Sequence, residues 1–210
     1  MEVFFGGKSS LRRYGLSLQS MYRTPATRKR YLYSVPGGDG QVDLMKGMGP
    51  PRYEPRTIRL TFKFCGADPR ADHDRIVNEL EGQTVEIVLP GELKYYMVGD
   101  IHISSVAVKA GGEVVIVATC QPWRYLRREV LLPLPAAEAY TDHILQNAGT
   151  RDAVPKLVAY EQIKILKDGV ETICQPGNYY LTDYVIPGQG SVTLTVCGGA
   201  ADISYKEAIL

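Results

Sequence analysis

The feature that most constrains this chain is a strict alternation of apolar and polar residues that returns several times. Ile58, Leu60, Phe62 and Phe64 alternate with Thr57, Arg59, Thr61 and Lys63. A strand turns successive side chains to opposite faces, so this pattern reads as a strand with one buried face. Val85, Ile87 and Leu89 repeat the period, as do Val192, Leu194 and Val196. Residues 112–120 are almost wholly apolar and β-branched, which predicts a strand covered on both faces. Turn chemistry separates these runs. Lys109-Ala110-Gly111-Gly112 predicts one hairpin. Asp168-Gly169 predicts another of type I′, whose two central residues need positive φ.

One helix is predicted over residues 69–81. Asp68 can cap it, Pro69 suits its first position and Gly82 can supply a left-handed stop. Ile76, Val77 and Leu80 form its apolar stripe, beside His73. A second, weaker helix or loop is expected over residues 136–146, after Pro133 and Pro135. Val35-Pro36-Gly37-Gly38-Asp39-Gly40 and Gly47-Met48-Gly49-Pro50-Pro51 read as irregular loops. Residues 122–155 are richest in proline and poorest in predicted strands, which places a domain junction there. The fold class is mainly β, in two units of residues 1–125 and 126–210, with one helix packed on the first.

Charge and composition exclude several functions. The net charge is +1, from 24 Lys+Arg against 23 Asp+Glu, so nothing draws the whole chain to nucleic acid or an anionic membrane. The longest apolar runs, such as residues 114–118, fall far short of the roughly 20 residues that span a bilayer. No secretory signal is read at the N-terminus, and synthesis in a cytoplasm is expected. Cys65, Cys120, Cys174 and Cys197 form no CxxC pair and are expected to be small buried thiols. No cofactor or metal is expected.

No constellation of an acid, base, nucleophile or metal is legible, and the chain is not expected to be an enzyme. Asp72-His73-Asp74 lies in the first turn of a helix, where neighbours diverge by about 100°. Its acids suit the helix dipole better than a ligand. His102 lies opposite the isoleucines of an Ile101-His102-Ile103 alternation and is expected at the surface. His143 has no nucleophile motif near it. Gly6-Gly7-Lys8-Ser9-Ser10 ends like a phosphate loop but lacks the spaced first glycine.

A basic cluster carries more information. Arg12, Arg13, Arg23, Arg28, Lys29 and Arg30 are interleaved with Tyr14, Tyr22, Tyr31 and Tyr33. Such a mixture suits single-stranded nucleic acid or a protein interface. The neutral chain favours the interface. So do 14 tyrosines against 4 phenylalanines, since tyrosine suits half-wet contacts.

The order of motifs resembles the distal tail proteins of siphophages and related prophages. The resemblance starts at Tyr14-Gly15-Leu16 and continues through the turn of Val35, Pro36, Gly37, Asp39 and Gly40. Asp43-Leu44, Tyr53, Arg56 and the strand of residues 58–64 follow. Leu80-Glu81-Gly82 and the strands of residues 85–89, 95–99 and 101–120 complete the first half, closed by Pro122. In the second half, Asn147, Gly149 and Pro155 resemble the family's junction into a sandwich, and residues 190–210 its closing strands. The basic stretch and the loop of residues 47–51 have no counterpart. The second half is too compact for a large receptor-binding insertion.

The resemblance implies an N-terminal β-sandwich or split-barrel-like ring domain with one packed helix and a hairpin. It implies a smaller, galectin-like C-terminal sandwich. The implied role is a structural virion protein of a long non-contractile tail, assembled in the cytoplasm of a bacterial host. Its partners would be itself in a hexameric ring, the tail-tube protein and tail-tip or tail-associated proteins, with no membrane and no sequence-specific nucleic acid. Arg12, Arg13, Arg23, Arg28, Lys29, Arg30 and Tyr31 are the candidate contacts. Pro36, Gly37, Asp39, Gly40, Tyr53, Arg56, Asn147, Gly149 and Pro155 are the candidate fold-holding residues. A tail-tube or tail-terminator protein, or a carbohydrate-binding adhesion module, remains the alternative.

Overall fold

The computed structural model describes residues 1–47 and 51–210; Met48, Gly49 and Pro50 of the expected loop lie outside the described residues. The chain divides into two units, Met1–Pro122 and Trp123–Leu210.

The first unit begins with β1 (Phe4–Phe5), β2 (Lys8–Ser9), the short helix α1 (Ser10–Tyr14) and β3 (Leu16–Arg23). It continues with β4 (Leu32–Ser34), β5 (Gln41–Asp43), β6 (Arg56–Phe64) and α2 (Pro69–Leu80). β7 (Thr84–Val88), β8 (Tyr95–Val106) and β9 (Glu113–Cys120) complete it. Seven of these strands form one antiparallel sheet in the order β2-β1-β7-β8-β9-β6-β3. β7, β8 and β9 lie between β1 and β6 in that order, yet the rings of Phe5 and Phe62 lie 6.2 Å apart. The sheet therefore curls over its own core. Ile58, Leu60, Phe62 and Phe64 of β6 are all buried there, as the alternation predicts. β9 gives Val114, Ile116, Ala118 and Cys120 to this core. Its other face is covered only in part, against the expectation: Val115 is buried and Val117 half-buried, but Glu113 and Thr119 are exposed.

α2 starts where the capping chemistry dictates. The Asp68 carboxylate accepts from the amides of Arg70 and Ala71, at 3.0 and 3.2 Å. Gly82 follows its end at φ +69°. Its buried stripe differs from the expected one: Ile76 and Leu80 are buried, Val77 is 37% exposed and Asp72 is buried in its place. Asp72 is tolerated because Arg75 donates to its Oδ1 at 3.0 Å. Its Oδ2 lies against two glycines, where a Cβ on Gly15 or Gly66 would come within 2.2 or 1.9 Å.

The second unit comprises β10 (Arg124–Leu126), β11 (Val130–Leu134), β12 (Ala137–Gln146), β13 (Lys156–Ala159) and β14 (Ile163–Lys167). β15 (Val170–Cys174), β16 (Gly177–Tyr180), β17 (Ser191–Gly198), β18 (Ala201–Tyr205) and β19 (Ala208–Ile209) follow. Two four-stranded sheets, β11-β18-β13-β16 and β12-β17-β14-β15, share one core that includes Leu157, Ile186, Leu194 and Ile203. That is a β-sandwich. The β14–β15 hairpin turns on Asp168 and Gly169, at φ +49° and +79°, as type I′ geometry requires.

Three expectations are corrected. Residues 136–146 are not a helix or loop: β12 occupies them and pairs with β17. A register shift between Ala137 and Thr141 breaks the alternation there and hides the strand in the sequence. Residues 122–155 are not poor in strands, since β10, β11 and β12 lie within them. Cys120 and Cys174 are buried, but Cys65 is exposed and Cys197 half-buried; all four are free thiols. The Cys120 thiol is pushed up to about 12, first by burial and then by Asp100.

Candidate assembly surface

Between β3 and β6 the chain leaves the sheet and returns, and the described residues 24–47 and 51–55 form an arm. Its root is tied by Thr24, whose amide donates to the Thr57 carbonyl at 3.0 Å. The Thr57 amide donates back to the Thr24 hydroxyl at 2.9 Å. Further out, Arg28 bridges to Tyr53 and the Lys29 amide donates to the Arg52 carbonyl at 2.8 Å. β4 and β5 then pair, with Leu32 opposite Asp43, Tyr33 opposite Val42 and Ser34 opposite Gln41. The Leu44 amide donates to the Tyr31 carbonyl at 2.9 Å and extends the ladder by one step.

This register sorts the side chains. Tyr31, Tyr33 and Val35 alternate onto the same face as Val42 and Leu44, while Leu32, Ser34, Gln41 and Asp43 take the other. One face of the hairpin is therefore wholly apolar. No core covers it: Tyr31 is 64% exposed, Tyr33 51%, Val35 46%, Val42 51% and Leu44 41%. A two-stranded hairpin is marginal in water without something against its apolar face.

The basic residues singled out by the sequence do not gather. Arg12 and Arg13 lie on α1. Arg13 donates to Glu79, which also takes Lys8 Nζ at 2.8 Å and the Tyr14 hydroxyl at 3.2 Å. The Arg13 guanidinium, followed by Lys8, holds the Glu79 carboxyl down at about 2. Burial, followed by Glu79, pushes the Tyr14 phenol up to about 12. Arg12 is almost fully exposed, 3.8 Å from Glu2. Arg23, at the end of β3, donates to both Glu92 oxygens at 3.0 and 3.1 Å. Arg28, Lys29, Arg30 and Tyr31 alone sit together, on the arm. Lys29 pairs loosely with Glu54 at 4.0 Å, and Arg28 Nε is buried without a hydrogen-bond partner. The apolar hairpin face was missed because its period spans only three residues per strand, with a loop between.

The fold-holding candidates divide as well. Pro36, Gly37, Asp39 and Gly40 form the exposed tip of the arm, where Gly37 and Gly40 take φ +77° and +85°. They set the hairpin's register and touch no core. Tyr53 braces the arm through its bridge to Arg28, and Arg56 is buried at the start of β6. Asn147 is buried in the second unit. Its Nδ2 donates to the carbonyls of Arg151 and Ile186 at 2.7 and 3.3 Å, and its Oδ1 accepts from Gly149 at 2.9 Å. A Cβ on Gly149 would lie 2.6 Å from the Ala208 carbonyl oxygen. Pro155 is buried, and its carbonyl accepts from Leu181 at 2.9 Å.

Catalytic geometry is not assembled among the described residues. His73 contacts Asp74 at 3.2 Å, His102 contacts Glu81 at 2.8 Å, and His143 lies on β12. Ser9 and Ser10 are occupied in capping α1 and holding the Val3 amide, at 3.0 and 3.1 Å. No group of three or more His, Cys, Asp or Glu among the described residues is placed to hold a metal. No helix among them is long and apolar enough to cross a membrane.

A curled antiparallel sheet carrying one main helix and a long arm, followed by a two-sheet sandwich, defines the fold class. A solved structure with this fold is that of SPP1 Dit (gp 19.1), described as a paradigm of the hub adsorption apparatus in phages infecting Gram-positive hosts. The two align over 100% of this chain and 99% of that one, with a TM-score of 0.64 and 15% identity. No protein-family model and no curated protein sequence matches.

Proposed function

We propose that this chain is a structural protein at the end of a long non-contractile phage tail, forming a hexameric ring between the tail tube and the tip. The apolar face of the β4–β5 hairpin carries this reading. A closed ring needs one patch to meet a different patch on the next copy. An arm whose apolar residues find no cover in their own chain supplies one half of such a contact. Full-length similarity of fold to a phage hub protein supports the same role. In this reading the second unit anchors peripheral tail proteins, and Arg28, Lys29 and Arg30 flank the contact as its polar rim.

Light scattering and negative-stain images of the purified chain test this. The expected result is closed six-fold rings of six 23.2 kDa chains around a central hole. Tyr33→Asp with Val42→Asp should return the chain to monomers, and charge reversal of Arg28 and Arg30 should weaken the rings. Extended tubes would replace the ring reading with a tail-tube protein. Rings that persist in the Tyr33/Val42 variant would remove the hairpin from the contact.

A further inference from the structure

We infer that the second unit carries a binding groove for an anionic saccharide, a sugar ring bearing a carboxylate or a phosphate. The groove stands apart from the ring proposal, since residues of the second unit alone line it. Its volume is about 520 Å³, within the roughly 300–1,000 Å³ typical of small-molecule sites. Tyr125, Glu129, Arg151, Lys156, Tyr180 and Lys206 give it its chemistry.

Three features converge on this ligand class. The first is an exposed aromatic ring set beside polar groups. Tyr180 is 72% exposed on β16, directly across from Lys156 of β13, which is directly across from Ser204 of β18. The three side chains form a row on the outer face of their sheet, placing an aromatic ring, an ammonium and a hydroxyl side by side. A tyrosine ring offers a rigid contact for the apolar face of a pyranose at low entropic cost.

The second is a prearranged cation. The Arg151 guanidinium lies 5.7 Å from the centre of the Tyr125 ring and 5.8 Å from that of Trp123, and it donates to the Tyr125 hydroxyl. Stacked and hydrogen-bonded, it loses little freedom when it meets an oxyanion, and its remaining donors suit carboxylate or phosphate. The third is the charge balance. Glu129 lies 3.6 Å from Lys206, and Asp152 Oδ1 accepts from the Gly188 amide at 2.9 Å. The carboxylates of the groove are thus engaged, and Arg151 and Lys156 meet the ligand as cations. Glu129 keeps acceptor capacity for a sugar hydroxyl.

Ligand-observed saturation-transfer NMR on the full chain tests the site. The probes are glucuronic acid and glucose 1-phosphate, with glucose as the uncharged control. Saturation of the ring protons is expected for at least one anionic sugar, with a Kd on the order of 1 mM. A response to glucuronic acid alone assigns the site to uronic acids; a response to glucose 1-phosphate alone assigns it to phosphosugars. Tyr180→Ala and Lys156→Gln should each cut the signal at least fivefold with an unchanged melting temperature. Silence from both anionic sugars overturns the proposal. So does an equal response to glucose, or a signal that survives both substitutions.

Discussion

β6 and the β4–β5 hairpin are built on the same two-residue period and end in opposite situations. In β6 the apolar set of Ile58, Leu60, Phe62 and Phe64 is at most 2% exposed. In the hairpin the apolar set of Tyr31, Tyr33, Val35, Val42 and Leu44 is at least 41% exposed. Both patterns state that one face wants cover. Only for β6 does the same chain supply it, through the curled sheet and α2. In the ring proposed above, the missing layer over the bare hairpin face would come from the next copy.

Substitutions on the two sides of this comparison should differ sharply. Leu60→Ala removes a fully buried side chain and should cost about 3 kcal/mol, read as a lower urea midpoint. Gly15→Ala should cost about 2 kcal/mol by the same measurement. Its φ of +61° and the Asp72 oxygen 2.2 Å from any added Cβ both oppose a side chain. Gly169→Ala has open space but a φ of +79°, and about 1 kcal/mol is expected. On the arm, Tyr33→Asp with Val42→Asp should move monomer stability by no more than about 0.5 kcal/mol. A loss approaching that of Leu60→Ala would show that the hairpin face packs within its own chain and would break the comparison.

The smallest effect is expected at Glu79, on the surface of α2. Its carboxyl is held at about 2, below the usual 4.5, first by Arg13 and then by Lys8. A depressed carboxylate stabilises the fold above its unfolded pKa and loses that contribution as pH falls through the folded one. Wild type and Glu79→Gln should therefore differ slightly at neutral pH. They should converge between pH 4.5 and about 2 in urea midpoints measured across that range.

The sequence made some of this legible, for physical reasons. The Ile58–Phe64 alternation, the Asp68 cap and the Asp168-Gly169 turn are local signals whose outcome local geometry decides. β12 escaped because a bulge interrupts its period. α1 escaped because a five-residue helix has no periodicity to read; Ser9 and Gly15 hold it at its two ends. Buried Asp72 could not be read as core, since its cover comes from Gly66, just before the helix, and from Gly15, distant in sequence. The basic cluster was visible as composition. Its division among α1, the end of β3 and the arm follows from tertiary pairing with Glu79 and Glu92.

The paired threonines at the root of the arm have a consequence for variation. Thr24 and Thr57 close the excursion before it begins, so the sheet meets whatever lies beyond them as a loop whose ends are already joined. Closing a flexible loop costs free energy only with the logarithm of its length, about 0.6 kcal/mol per doubling. Insertions, deletions and changed tips can therefore accumulate outside this clasp while the curled sheet folds as before. The reach and chemistry of the arm can vary while the scaffold beneath stays as it is.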